Sequence, residues 1–298
     1  MSQTVGKICL AMAFILAGST VISLKYLAGY LEPFTIISSG LFFSLLSLIP
    51  IYLKPLKETM RSMERQGWLM IIVQALFGLF LFRLLLLAGL RYTSAGEAGL
   101  LTGAVPAITA FLAFVVLREP LSLRSVIGIA CTIAGIAALQ GWQNVSYSRE
   151  HFLGNCLVLG AACSESIFNV ASKKSSSQPV SPMVRTTLVC LAAFPACLVL
   201  AAFETPLALL ANLNIFGWLA LLWQALFVTI AAYFFWFEGI RRCSTCTAAA
   251  FSGLMPLSSA VLAVIILGET LGFDKWLGGL AIIAGIIIIS LKTDDTGA

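Results

Sequence analysis

The sequence predicts an all-α membrane protein of ten transmembrane helices, built from two inverted five-helix repeats. Three observations carry that expectation. Hydrophobic residues make up 60% of the 298 and charged residues only 10%, against about 25% charged in a soluble domain. The apolar text falls into blocks of about 20 residues, the length that crosses a hydrocarbon core of roughly 30 Å. Finally, the second half repeats the first without a gap, at an offset of 150 residues that carries Gln74-Ala75-Leu76-Phe77 onto Gln224-Ala225-Leu226-Phe227.

Taken in order, the first span (8–28) follows a single Lys7 and resembles a secretory leader. It runs on into the second span (33–53) without a small-residue cleavage site, so it reads as a retained helix. The third span (68–90) carries Gln74 and Arg83, and the fourth (95–117) is interrupted by Pro106. The fifth (122–140) is spaced by Gly128 and Gly135. In the second half, the sixth span (152–172) holds Glu165 and Asn169, and the seventh (182–203) opens near Arg185. The eighth (216–238) carries Gln224, Tyr233 and Trp236, the ninth (246–267) Pro256, and the tenth (273–291) Gly278 and Gly285. Barrel strands are excluded, because the blocks are continuously apolar and about twice the length a strand needs. The domains expected are 1–145 and 146–298.

Charge sets the topology. Lys7, Lys54, Lys57, Arg61, Arg65, Arg118, Arg124, Lys173, Lys174, Arg241, Arg242 and Lys292 fall on one side of a ten-span chain, and only Lys25, Arg91, Arg149 and Lys275 on the other. Basic loops stay inside, so both termini are expected in the cytoplasm of a cell whose inner membrane the chain crosses. The net charge of +5 is thereby spent on topology, and no nucleic-acid partner is implied. Of the eight cysteines, Cys9, Cys131, Cys156, Cys163, Cys190 and Cys197 lie in or beside apolar spans, where the thiol acts as a small hydrophobe. The Cys243–Cys246 pair lacks further ligands, and no metal or cofactor is expected.

The repeat keeps polar and helix-breaking residues in register. Arg91, Ser94, Gly103, Pro106 and Glu119 meet Arg241, Ser244, Gly253, Pro256 and Glu269. Five spans per half make the halves enter the membrane from opposite sides, the recurring plan of secondary transporters. Proline displaces the carbonyl four residues back, which is that of Thr102 for Pro106 and of Ser252 for Pro256. Each half is therefore expected to present a loosened turn with free carbonyl and hydroxyl groups at one depth; the blander alternative is a kink for packing.

The run LRYTSAGEAGLLTGAVPAITAFLAFVVLREPLS from Leu90, then GIACTIAGIAAL, and their second copy resemble the EamA-type families of the drug/metabolite transporter superfamily over nearly the whole chain. The resemblance implies ten helices around a central cavity, alternating access, and transport of small metabolites such as amino acids, with export the expected direction. Relatives carry an arginine early in the second span, where this chain has Gly40. For Glu119 and Glu269 the resemblance implies a structural or gating role.

Ionisable groups inside spans default to function. Arg83 could hold a substrate carboxylate with its planar fork, and Glu165, beside Asn169, could bind an ammonium or carry a proton; alternatively the two neutralise each other, or Arg83 pairs with Glu97. Tyr233, equivalent to position 83, and Trp236 offer stacking faces, or else pack against lipid. The candidate substrate-binding set is Arg83, Thr102, Pro106, Glu165, Asn169, Tyr233, Trp236, Ser252 and Pro256. Arg185 is expected to snorkel toward headgroups, and Glu97 and Glu238 to reach span ends. Gln74 and Gln224 either line the cavity or bond between helices. The glycines of spans five and ten permit close contact within the bundle or in a homodimer. No catalytic constellation is present, so an enzyme is not expected, and a primary pump lacks its phosphate loop. The rival left standing is a non-transporting receptor or scaffold in contact with membrane lipids.

Overall fold

The computed structural model describes residues 3–117, 149–176, 178–243, 254–270 and 272–290, together with 123, 126–128, 130, 131, 134, 135, 248 and 251. Seven helices are long and apolar enough to cross a membrane: α1 (Gln3–Leu27), α2 (Pro33–Ser62), α3 (Arg65–Leu90), α4 (Ala95–Val116), α5 (Arg149–Ser175), α6 (Pro182–Ala202) and α7 (Ile215–Arg242). Two more apolar helices follow, α8 (Leu254–Leu267) and α9 (Phe273–Ser290). Much of the expected span 122–140 lies outside the described residues, and the residues of it that are described are helical. Among the described residues there is no strand.

Local chemistry explains the helix starts. Pro33 and Pro182 open α2 and α6, where a missing N–H costs nothing because the first turn has no acceptor for it. Ser94, Ser181 and Asn214 accept from the N–H of Glu97, Val184 and Gly217 at the starts of α4, α6 and α7, satisfying donors that would otherwise be orphaned. Helix α2 continues past residue 53 to Ser62. Its extra turns carry Lys54 and Lys57 on an exposed surface, where the broken bonding at Pro55 can be made good by water.

Helices of the first half pack against helices of the second. α1 lies against α7 and α8, α2 against α6, α3 against α5, and α4 against both α5 and α8. In a lipid solvent close packing, not apolar burial, holds helices together, and small residues mark the crossings. A Cβ placed on Gly89 would fall 2.9 Å from the carbonyl oxygen of Gly154, and one on Gly135 would fall 2.7 Å from that of Gly278. The glycines of the fifth and tenth predicted spans thus meet inside one chain. Buried amides add ties: Gln74 Nε2 donates to Ser175 Oγ on α5 (3.1 Å), and Gln224 Nε2 to Ser23 Oγ on α1 (2.7 Å). Such interhelical bonds contribute about 0.6 kcal/mol each.

The crossing of α1 and α8 is the tightest of these. A Cβ on Gly18 would sit 2.6 Å from the Met255 carbonyl oxygen, a backbone atom that cannot rotate away. Gly18→Val is expected to destabilise the bundle by about 1–3 kcal/mol, the usual penalty of overpacking, read as a lower melting temperature of the detergent-solubilised protein.

Candidate functional site

Two wide helical turns build the site. α3 winds as a π-helix over Ala75–Leu81 and α7 over Gln224–Ala231, positions that coincide under the 150-residue offset. In such a turn the N–H reaches the carbonyl five residues back, as that of Ala232 does to Phe227. The shifted register frees acceptors for side chains and is a frequent mark of functional positions. Ser164 Oγ donates to the Phe77 carbonyl (2.9 Å) and the Tyr233 hydroxyl to that of Gly78 (3.0 Å). In the opposite sense, Arg83 Nη2 donates to Thr229 Oγ1 at 2.5 Å, and that hydroxyl donates to the Gln224 carbonyl at 2.8 Å. Positions 83 and 233 are equivalent, so each reaches into the wide turn of the other half.

Between these turns lies a cavity of about 70 Å³. Arg83 from α3, Glu165 and Asn169 from α5, and Tyr233 and Trp236 from α7 all line it, with Phe14, Thr20, Phe82 and Phe168 among its other walls. The aromatic walls brace one another: Phe14 meets Trp236 edge-on at 5.7 Å, and Phe168 lies 5.3 Å from Tyr233. Gly78 lets Phe168 in, since a Cβ there would fall 2.5 Å from its ring. Arg83 is 3% exposed, and a Cβ on Gly40 would stand 3.7 Å from its Nη1, so α2 packs beside the guanidinium at ordinary contact distance. No ion pair joins Arg83 to Glu165 or to Glu97; both carboxylates are among the described residues. Among the described residues, Glu165 Oε2 and Trp236 Nε1 are buried without a hydrogen-bond partner. Orphaned buried groups of this kind cost about 1–3 kcal/mol each, and both belong to residues of the cavity wall.

Thr102, Pro106 and Pro256 are buried elsewhere. Residues Thr102–Ala104 form a 3₁₀ turn just before Pro106. Because Pro106 has no N–H to offer, the Thr102 carbonyl accepts instead from Val105, and its hydroxyl donates to the Gly99 carbonyl at 2.5 Å. The turn is therefore loosened but internally satisfied, which corrects the expectation of free polar groups. A Cβ on Gly103 would lie 3.4 Å from the Pro256 ring, so the two proline segments form a seam between α4 and α8. Ser252 lies outside the described residues, as does Glu119.

Three other expectations change. Arg185 does not snorkel: it is 4% exposed and clamps the end of α5, donating through Nη2 to the Ser175 carbonyl (2.7 Å) and through Nη1 to Ser175 Oγ (3.1 Å). A cation suits the negative end of a helix dipole. Glu97 does not reach headgroups; it is fully buried, 3.1 Å from His151 Nε2 and accepting from Asn155 Nδ2 at 3.2 Å. Glu238 is buried too, held by Arg241 and Arg242 on its own helix.

One end of the bundle is tied by carboxylates on helix N-termini. Gly268, in the left-handed region at φ +65°, turns the chain after α8 so that Glu269 accepts from the N–H of Ala95 (2.9 Å) and Gly96 (2.7 Å) at the start of α4. Glu204 likewise accepts from Phe34 N–H (3.1 Å) and Thr35 N–H (2.7 Å) at the start of α2. Glu32–Arg91 (2.7 Å) adds an exposed pair nearby. Sequence reasoning missed Thr229 and Glu204; Thr229 stands one helical turn before Tyr233, and that spacing was its only signal.

Comparison with known proteins agrees with this architecture. The "Uncharacterized transporter YetK" of Bacillus subtilis (strain 168) is 28% identical over 98% of this chain and 88% of its own length. A protein of Escherichia coli (strain K12) described as "Probable amino-acid metabolite efflux pump" is 29% identical over 65% of this chain and 67% of its own. A solved protein structure superposes with a TM-score of 0.69 over 96% of each chain at 18% identity, a likeness of fold. The model of the EamA-like transporter family matches residues 4–140 and again 152–291. With nearly its whole length covered by those two matches, and seven helices long and apolar enough to cross a membrane, the chain belongs to the EamA-like transporter family, whose members are carriers and not enzymes.

Proposed function

We propose that this protein exports small zwitterionic metabolites, amino acids and close relatives, across the plasma membrane by alternating access. The observation that carries this reading is the cavity itself: a guanidinium and a carboxylate share its wall without pairing, and among the described residues Glu165 Oε2 has no partner. A solute bearing both a carboxylate and an ammonium would answer each group, at Arg83 and Glu165, while Phe168, Tyr233 and Trp236 take its apolar part. Asn169 adds a polar amide on the same wall. The relative described as an amino-acid metabolite efflux pump supports the class of cargo and the outward direction.

A cavity of about 70 Å³ is several times smaller than the ~300–1,000 Å³ typical of ligand sites, so loading requires the bundle to open. Ten spans in two inverted units, 1–145 and 146–298, would supply that motion by exchanging shapes, with both termini in the cytoplasm. The seam at Thr102, Pro106 and Pro256 would act as a flexible packing surface during the exchange rather than as direct solute contact.

Purified protein in liposomes loaded with a labelled neutral amino acid tests the reading. Saturable efflux is expected for the zwitterion, and efflux at least about tenfold weaker for the matching amide or decarboxylated amine, each of which lacks one charge contact. Glu165→Gln is expected to raise the apparent KM for the zwitterion about tenfold, the loss of one charge-assisted contact. Wild-type protein that moves no member of such a panel in either direction would remove the proposal.

A further inference from the structure

We infer that Thr229 is a positioning residue for carboxylate recognition: it fixes the edge of the Arg83 guanidinium that faces the cavity. The inference rests on the assignment of Arg83 as the carboxylate holder and adds a specificity determinant outside the cavity lining.

The geometry is specific. A threonine in a regular helix turns its hydroxyl toward the carbonyl three or four residues back. In the wide turn of α7 the carbonyl within reach is that of Gln224, five back, and Thr229 Oγ1 donates to it at 2.8 Å. A hydroxyl has one proton and two lone pairs. With the proton committed to Gln224, the oxygen presents only lone pairs outward, and Arg83 Nη2 meets it at 2.5 Å. Thr229 is itself fully buried, so no water competes for that lone pair. The hydroxyl is locked as an acceptor by the turn on which it sits.

A guanidinium binds a carboxylate best through two parallel N–H bonds from one edge. One terminal nitrogen of Arg83 is pinned by Thr229, and the other lies 3.7 Å from where a Cβ on Gly40 would stand, an ordinary contact with α2. Rotation about the long side chain is thereby restricted, and the same edge is presented at every turnover. The wide turn acts here as a device that aims a neutral side chain at a charged one. Tyr233, bonded to the Gly78 carbonyl in the matching turn, is held by the same construction in the other half.

The test compares an amino acid and its amide as substrates of wild-type protein, Thr229→Val, Thr229→Ser and Arg83→Gln in liposomes. Valine has the shape of threonine without the acceptor, and serine keeps the acceptor. Thr229→Val is expected to raise KM for the acid about tenfold or more, the loss of a hydrogen bond to a charged group, with little change in KM for the amide. Thr229→Ser should preserve the acid-over-amide preference, and equal melting temperatures would exclude a folding defect. If Thr229→Val keeps the preference while Arg83→Gln loses it, the role of Thr229 is overturned and the assignment of Arg83 stands. If Arg83→Gln keeps the preference, the assignment of Arg83 falls, and the role of Thr229 falls with it.

Discussion

Replacing Arg83 with alanine is expected to lower specific efflux of a zwitterionic substrate by about thirtyfold or more while leaving the protein inserted and folded. The magnitude follows from removing one partner of a desolvated charge contact, about 2–5 kcal/mol, which at 1.4 kcal/mol per decade spans roughly thirtyfold to several thousandfold. Stability should move less. Arg83 is bonded to a neutral hydroxyl, not a carboxylate, so its removal strands no buried counter-charge. Thr229 keeps its own bond to the Gln224 carbonyl. Initial rates in liposomes, normalised to protein recovered after reconstitution, give the first number, and thermal melting in detergent gives the second. Full efflux by a well-folded Arg83→Ala protein would take the guanidinium out of the substrate site.

The second large effect concerns the tied end of the bundle. Glu269→Ala is expected to shift the carrier toward the form open at the face that bears Glu32, Glu204 and Glu269. Both carboxylate oxygens of Glu269 receive backbone N–H groups at the start of α4, and no other described residue makes that contact with Ala95 and Gly96. Alanine leaves those donors to water, which favours separation of α4 from the end of α8. Allowing for the partial exposure of the site, the shift should be about 1–3 kcal/mol, or roughly 5- to 150-fold in population. In a cysteine-free background carrying Ala17→Cys on the cavity wall, the labelling rate by an impermeant maleimide from that face reports the change directly. An unchanged rate would mean that Glu269 shapes the loop and holds no gate.

Much of the site is legible in sequence because the membrane makes polar atoms conspicuous. Arg83, Glu165 and Asn169 stand out in apolar text, and Tyr233 is found by sliding the chain onto itself; with Trp236 they line one cavity. Placement by depth fails for Arg185, Glu97 and Glu238. All three lie near helix ends, yet a helix C-terminus, a histidine–asparagine pair and two arginines respectively hold them inside protein. The prolines are visible, but which neighbour satisfies a displaced carbonyl depends on whether the next turn tightens, as Thr102–Ala104 does. The π turns leave no residue signature beyond the repeated Gln-Ala-Leu-Phe, so Thr229 could not be told from any other threonine in a helix. Gly40 illustrates the reverse case: it is plain in the sequence, and only the fold shows that it stands beside Arg83.

Arg83 and Tyr233 occupy corresponding columns of the duplication, yet one is a cation with five donors and the other a neutral phenol with a single proton to give. Were the two units identical, exchanging their shapes would give back the same molecule turned over in the membrane, at no change in energy. On the proposed exchange of shapes the guanidinium and the phenol break that degeneracy, because it would set them against unlike surroundings. An empty carrier of this design would dwell longer with one mouth open than with the other. A solute would then meet different half-saturation concentrations from the two sides, even with no gradient or coupled ion to drive the cycle.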